Sequence, residues 1–492
     1  MDDLHLLGPQ LALLIGGGLI IIVDVLLPIA GREAYLQRRP LLSGLAILAA
    51  AGSAGWSLVL VLTDERGEAF DGMIAVDDFT LFFNFLFAGV AGVIVLASVD
   101  FLDRHRFQGE YLALILIAAA GMSLMAAGTD LIMIFIALEL QAIALFALVG
   151  ISKSASGSEA TLKFLLLSAI STAITLYGMA YLFGLSGETS LDGIFEYVSN
   201  ADENRSALVL AAVFLTAGLG FKMAVVPFQM WVPDVYEGAP TPITAFLSVA
   251  SKAAGFAVVM RIFLAALGEG IVTTDWAYLF AAIAAVSMTV GNVLALVQGN
   301  IKRMLGYSSI AQAGTILIGL AAVAAEDPQL LLGTSSVVFF LGAYAFTNIG
   351  AFIAIIAISH KIGSDQIDDY AGVAKRSPLL ALGLAACLFS LTGFPPTAGF
   401  IAKVYVFNAA VQADLVWLAI IGVINSVIAA YYYLRVVLNM FARDPETDDA
   451  FLPSPYLGAA LAAAVVGLFA IGIYPTPLIE ASESAARVFV FG

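Results

Sequence analysis

Residues 391–407 read LTGFPPTAGFIAKVYVF, from Leu391 to Phe407. The composition is that of a membrane helix interior, yet it holds Pro395, Pro396 and Lys403. Each proline lacks a backbone N–H and obstructs the preceding turn, so a regular helix stops here. Lys403 follows within two turns, among Ile401, Val404, Val406 and Phe407. A helix break and a cation thus stand where a lipid-spanning segment is expected to be most apolar.

The rest of the chain supports the membrane reading. Of 492 residues, 61% are hydrophobic and only 12% are charged, with a mean hydropathy of +0.99. A soluble domain carries roughly 25% charged residues, so an all-α polytopic membrane protein is expected. The net charge of -16 disfavours nucleic acid as a partner, because a phosphate binder needs a basic face. One cysteine, Cys387, excludes an intrachain disulfide or a multi-cysteine metal site. His5, His105 and His360 are scattered without ligand spacing, so no metal is expected. The start, MDDLH, is acidic where a secretory signal is basic, and reads as leading into a retained first span.

A span needs about 20 mostly apolar residues. Fourteen candidates start near residues 9, 41, 77, 111, 130, 160, 206, 240, 276, 301, 330, 378, 414 and 456. Short polar linkers such as TDERGEAFDG, GETSLDGIFEYVSNADENR and RDPETDDAFLP separate them, so a single membrane domain over 1–492 is expected. Loops after odd spans and their edges hold Arg32, Arg38, Arg39, Arg104, Arg106, Lys153, Lys302, Arg303, Lys361, Lys375, Arg376 and Arg443. Even loops and the C-terminal tail hold only Arg66, Arg205 and Arg487. The positive-inside rule then puts the odd loops in the cytoplasm and both termini outside.

Six basic residues lie inside the expected spans: Lys163, Lys222, Lys252, Arg261, Lys403 and Arg435. Arg261 and Arg435 sit near span ends, where long side chains are expected to snorkel to the interface. Lys163 lies early in span 6 and fits either an anchor or a functional group. Lys252 is ten residues past Pro242, roughly 15 Å into a core of about 30 Å. Glu139, nine residues past Asp130, reaches a similar depth, and Lys403 lies eleven residues from Asp414. An ionised group at that depth costs on the order of 2.5–3.5 kcal/mol even on the lenient insertion scale. A lone Glu–Lys pair can serve as glue between helices, but a series of lysines beside one glutamate fits a proton relay better.

The segment TAGLGFKMAVVPFQMWVPDVYEGAPTPITAF repeats the opening pattern, with Lys222 five residues before Pro227. Its start, TAGLGFK (Thr216 to Lys222), matches TAGFIAK (Thr397 to Lys403) at four of seven positions, five spans apart. Two inverted five-helix repeats, spans 4–8 and 9–13, with broken helices 7 and 12, are expected. The corresponding boundaries are 1–105 for three N-terminal spans, 106–268 and 269–443 for the repeats, and 444–492 for the last span.

LTGFPPTAGFIAKVYVF, GFKMAVVPFQMWVPDVYEGAPTPITAFLSVASKAAGF and NIKRMLGYSSIAQAG together closely resemble the antiporter-like membrane subunits of respiratory complex I, the NADH:quinone oxidoreductase. Within that family the chain resembles the branch with fourteen spans, a lysine in span 12 and the segment DDYAGVAKRSP (Asp368 to Pro378) before it. The resemblance implies a proton-translocating subunit. It assigns Glu139 as the span 5 glutamate paired with Lys222 of broken span 7, Lys252 as the central relay and Lys403 as the second half-channel residue. Lys163 resembles a lysine near the Glu–Lys pair, and Lys302 a basic residue at the start of span 10. Pro227, Pro395 and Pro396 mark the helix breaks. The resemblance also implies no cofactor on this chain, with NADH, FMN, iron–sulfur clusters and quinone held by partner subunits. The expected partners are a neighbouring antiporter-like subunit, small membrane subunits, the lateral helix of a sister subunit (subunit L) and the lipid bilayer.

Other readings stay open at this level. Multi-subunit cation/proton antiporters and membrane-bound hydrogenases have similar subunits, and a purely structural spacer would leave the midplane lysines dispensable. An autonomous solute transporter is less well matched, because the conspicuous charges suit protons better than a bulky substrate.

Overall fold

The computed structural model describes residues 2–27, 32–103, 106–200, 204–268, 272–324, 327–445, 447 and 449–489. Arg104, His105 and parts of the linkers after spans 6 and 13 lie outside that set. Among the described residues, thirteen helices are long and apolar enough to cross a membrane. Spans 1 to 11 are Gly8–Leu26, Arg38–Leu62, Asp78–Ala97, Gln108–Ala127, Leu131–Val149, Ala155–Ser186, Arg205–Met223, Thr241–Ala266, Thr273–Leu296, Ile301–Ala321 and Leu331–Ile362. Spans 13 and 14 are Val416–Ala442 and Pro455–Ile473. The expected span 12 consists of two 15-residue helices, Pro378–Thr392 and Ala398–Gln412. At 1.5 Å per residue each is only about 22 Å long, so the crossing takes both.

Helices dominate because lipid offers no partner for a bare N–H or C=O, and a helix satisfies its own. Span 8 is wholly buried and spans 10 and 11 nearly so, which places them at the centre of the bundle. Spans 1, 2 and 14 keep most of their surface on the outside.

The loops sort into two faces. On one, Thr129 N–H donates to Met73 O at 3.1 Å, Leu131 N–H to Thr189 O at 2.9 Å and Leu191 N–H to Thr129 O at 2.9 Å. These bonds join the loops after spans 2, 4 and 6. On the other, Ile301 N–H donates to Asp365 O and Ile367 N–H to Gly299 O, both at 2.8 Å. Phe451 N–H reaches Arg376 O at 3.1 Å, so loops 9, 11 and 13 share that face. Strict alternation of this kind is what fourteen crossings require.

Two linkers hold more structure than their polarity implies. TDERGEAFDG enters an antiparallel hairpin, Gly67–Ala69 against Ile74–Val76. The linker after span 6 contains the helix Leu191–Ser199, which buries Leu191, Ile194 and Val198 along one face.

The breaks in spans 7 and 12 share one backbone geometry. A left-handed residue ends the first helix of each, Ala224 (φ 63°) and Gly393 (φ 95°). Val225 N–H then bonds Gly220 O at 3.1 Å, as Phe394 N–H bonds Phe389 O at 3.1 Å. Phe228 N–H bonds Val225 O at 2.8 Å, as Thr397 N–H bonds Phe394 O at 3.2 Å. Pro227 and Pro396 take the same place in the two turns. In this register Lys222 lies opposite Leu391, and Lys403 lies opposite Asp234. The TAGLGFK and TAGFIAK segments therefore sit on opposite sides of their breaks, and their likeness does not mark equivalent positions.

Candidate functional site

The break in span 12 explains its own lysine. In a continuous helix the carbonyls of Leu391 and Thr392 would accept from residues 395 and 396, four positions on. Both are prolines and have no N–H to give. Gln312 Nε2 donates to Leu391 O instead, and Lys403 Nζ donates to Thr392 O, each at 2.9 Å. Lys403 also reaches Ser426 Oγ at 3.0 Å. Gly393 makes room for the lysine, since a Cβ there would lie 3.0 Å from Lys403 Cδ. The side chain is buried, and no carboxylate among the described residues lies within 4.0 Å of its nitrogen.

Lys252 is more enclosed, with 2% of its surface exposed. Span 8 is not a regular α-helix around it. Wide π turns occupy Leu247–Ser251 and Arg261–Ala266, on either side of the α-helical Lys252–Met260. Such bulges recur at functional sites because they re-aim side chains within a continuous helix. Lys252 Nζ donates to both the carbonyl oxygen and Oγ of Ser309, and sits 5.5 Å from the centre of the Tyr344 ring. Polar clamps hold the first bulge: Gln141 Nε2 donates to Ser251 Oγ at 2.6 Å and Asn348 Nδ2 to Ser248 Oγ at 2.7 Å.

Lys222 lies in the last turn of the first helix of span 7, and its backbone packs directly on span 8. A Cβ on Gly255 would stand 3.0 Å from the Lys222 carbonyl carbon. The ammonium rests 5.8 Å from the centre of the Phe221 ring. The expected contact with Glu139 is not formed. Half-buried Glu139 accepts instead from Thr172 Oγ1 at 2.8 Å.

Lys163 is placed differently from the expectation. It is exposed and pairs with Glu159 at 2.8 Å and Asp234 at 2.7 Å, on the face of the odd loops. Along span 6 it lies nine residues from Thr172, roughly 13 Å from the hydroxyl that serves Glu139. Arg303 joins the same cluster through Asp234 at 2.7 Å and Glu237 at 3.0 Å. Lys302 is buried and bridges to Asp365 at 3.0 Å, which ties span 10 to the following odd loop.

Both arginines reach protein groups at span ends. Arg261, with 2% exposed, pairs with Asp77 at 2.8 Å and donates to Thr80 Oγ1 at 2.9 Å and Ala126 O at 2.7 Å. Asp77 caps span 3, so this guanidinium locks the ends of spans 3, 4 and 8 together. Arg435, half-buried, donates to Leu296 O at 3.1 Å and to Gln298 O, at the end of span 9. Each finds carbonyl acceptors on the protein at the end of a neighbouring span.

Several uncharged residues join this site without having stood out in the sequence. Ser309, Gln312, Tyr344, Thr347 and Ser390 are buried on spans 10, 11 and 12. Their signal is faint, because a hydroxyl or amide inside an apolar span is common. A small cavity is lined by Gln312, Tyr344, Thr347, Ser390 and Lys403, and its Tyr344 is the ring beside Lys252. The arrangement runs across the bundle from Glu139 and Lys222, through Lys252 on span 8, to Lys403 on span 12. Cations held by neutral oxygens along a polar line are suited to passing protons.

The family described as NADH:quinone oxidoreductase/Mrp antiporter, TM, matches residues 128–429. A relative from Dehalococcoides mccartyi, NADH-quinone oxidoreductase subunit N, is 43% identical over 98% of this chain and 99% of its own. A chain of respiratory complex I from Thermus thermophilus superimposes with a TM-score of 0.79 at 30% identity, over 96% of this chain and 98% of that one. A chain of the Mrp complex from Dietzia shares the fold, with a TM-score of 0.83 at 20% identity over 100% of this chain and 98% of its own.

Proposed function

The chain belongs to the NADH:quinone oxidoreductase/Mrp antiporter membrane family, and on that premise we propose that it is a proton-translocating, antiporter-like subunit of an NADH:quinone oxidoreductase. The observation that carries this reading is the pair Lys252 and Lys403. Both are buried, both are held by neutral oxygens, and Tyr344, which stands beside Lys252, lines a small cavity that Lys403 also lines. In this reading Lys222, under the field of Glu139, exchanges charge with Lys252, and Lys252 exchanges a proton with Lys403. Each lysine binds a proton at Nζ and gives it up when a neighbour becomes charged. Lys163 and Lys302 stabilise the odd-loop face through ion pairs with Glu159, Asp234 and Asp365 and stand outside the relay. Alternating positions of identical breaks, entered from opposite faces, support two inverted units within 106–443.

Moving one charge across 100 mV takes about 2.3 kcal/mol, which a relay of lysines cannot supply. The energy comes from electron transfer between NADH and quinone in partner subunits, and this chain takes no part in the redox chemistry. The excess of Lys and Arg in the odd loops supports a cytoplasmic position for them, with both termini on the periplasmic side of the inner membrane. The test is redox-linked proton translocation by the assembled complex in membrane vesicles. Lys403→Ala and Lys222→Ala are expected to lower the protons moved per NADH oxidised while assembly is retained. Wild-type translocation in both variants would overturn the reading.

A further inference from the structure

Ser309 Oγ stands at a junction of three groups. Lys252 Nζ donates to it, Tyr344 Oη donates to it at 3.3 Å, and Tyr236 Oη lies 3.1 Å away in a bond either hydroxyl can donate. A serine hydroxyl has one hydrogen to give and two lone pairs to fill, so these three partners saturate it. Its hydrogen must therefore follow the state of Lys252. Beside an ammonium, which only donates, Ser309 turns its hydrogen to Tyr236. Beside a neutral amine the hydrogen can turn to the Nζ lone pair, and both tyrosines donate to Ser309. In that second state the bonds run in one direction, from Tyr344 through Ser309 to Lys252.

Tyr344 continues the line. It borders the cavity that Gln312, Thr347, Ser390 and Lys403 also line, a space with room for roughly one water. Polar groups border it among apolar ones: Thr347 Oγ1 and Ser390 Oγ lie 3.0 Å apart, and Gln312 Nε2 donates to the freed Leu391 carbonyl. Lys403 lines the same space.

We propose that Ser309 and Tyr344 form the hydrogen-bonded link through which a proton passes between Lys252 and Lys403. This deepens the function proposed above and rests on it. In the loading direction the Lys252 lone pair takes the Ser309 hydrogen, Ser309 Oγ takes the Tyr344 hydrogen, and Tyr344 Oη takes a proton from a cavity water. That water is refilled by the Lys403 ammonium, which becomes a neutral amine. One N–H bond breaks at Lys403 and one forms at Lys252, while both hydroxyls end neutral with their directions reversed. The opposite transfer uses the same bonds. Rotation of the two hydroxyls resets the link.

The experiment measures protons translocated per NADH oxidised by the assembled complex, with variants Tyr344→Phe, Ser309→Ala, Ser309→Thr and Lys403→Ala. Phenylalanine keeps the ring under Lys252 and removes only the hydroxyl. Tyr344→Phe and Ser309→Ala are expected to lose this subunit's share of translocation, as Lys403→Ala does, whereas Ser309→Thr keeps it. Adding Tyr344→Phe to Lys403→Ala should cause no further loss, because both lie on one route. A merely structural Tyr344 would instead give additive losses, and that result overturns the proposal. So does wild-type translocation in Tyr344→Phe and Ser309→Ala while Lys403→Ala is impaired, an outcome that leaves the relay itself intact. If Lys403→Ala is also unaffected, the functional reading fails first. Should Tyr344→Phe fail to assemble, the contrast between Ser309→Ala and Ser309→Thr decides alone, and equal translocation in the two overturns the link.

Discussion

Lys403 Nζ bonds the carbonyl oxygen of Thr392 at 2.9 Å, the carbonyl that Pro396 deprives of its helical partner. The proline and the lysine are therefore parts of one structure. A continuous helix would have closed this oxygen off with its own N–H, leaving the lysine without a backbone acceptor at that depth.

Restoring the missing donors should compete with the lysine. In the double variant Pro395→Ala, Pro396→Ala the N–H groups of residues 395 and 396 become available to the Leu391 and Thr392 carbonyls. Gln312 and Lys403 would then lose their acceptors. Translocation per NADH is expected to fall although every charged residue is unchanged. Unaltered coupling in the assembled double variant would show that the carbonyls do not matter.

Among the lysines, effects should follow burial and partners rather than position in the sequence. Lys222→Ala and Lys403→Ala remove buried cations of the line across the bundle. Lys163→Ala removes an exposed ion pair, and such pairs are worth about 0–1 kcal/mol. Proton-to-NADH ratios of the three variants should separate clearly, with Lys163→Ala the mildest. A defect in Lys163→Ala as large as in Lys403→Ala would return it to the relay.

Gly255 should not tolerate a side chain. A Cβ there would stand 3.0 Å from the Lys222 carbonyl carbon and 3.1 Å from its Cβ. Gly255→Leu must push spans 7 and 8 apart, and overpacking of this kind costs about 1–3 kcal/mol. Thermal unfolding of the purified complex is expected to begin at lower temperature, with translocation weakened as Lys222 moves from Lys252.

Arg261 is expected to matter for stability rather than for transport. Arg261→Ala takes the guanidinium from half-buried Asp77, buried Thr80 and the Ala126 carbonyl, a change worth up to about 3–5 kcal/mol for a broken buried pair. Arg261→Lys should rescue only partly, because an ammonium cannot present the same planar fork. Native gel analysis of subunit retention would read both, and full retention in Arg261→Ala would contradict the lock.

Much of the fold was legible because its causes are local. Fourteen apolar stretches, two proline-marked breaks and the skew of Lys and Arg all come from windows of about 20 residues. The midplane lysines were legible for the same reason, since a cation in an apolar run is conspicuous. The likeness of two short segments does not follow the matching backbone turns of the two breaks. TAGLGFK and TAGFIAK share small residues that any packed membrane helix favours, while the backbone turn aligns Ala224 with Gly393. The hairpin at Gly67–Val76 was hidden because a short strand pair in a polar loop leaves little pattern.

What the sequence determined by itself is the class of the protein, the number of crossings, where the helices must break and which charges lie deep. Hydropathy and the missing proline N–H act within a few turns of the chain. Only the tertiary structure decided which of those charges have partners. Lys252 meets Ser309, 57 residues on, and Arg261 meets Asp77, 184 residues back. It drew Lys163 and Arg261 into ion pairs and left Lys252 and Lys403 to neutral oxygens. A buried cation becomes glue or relay according to the groups that other helices bring within 3 Å, and no local pattern records them.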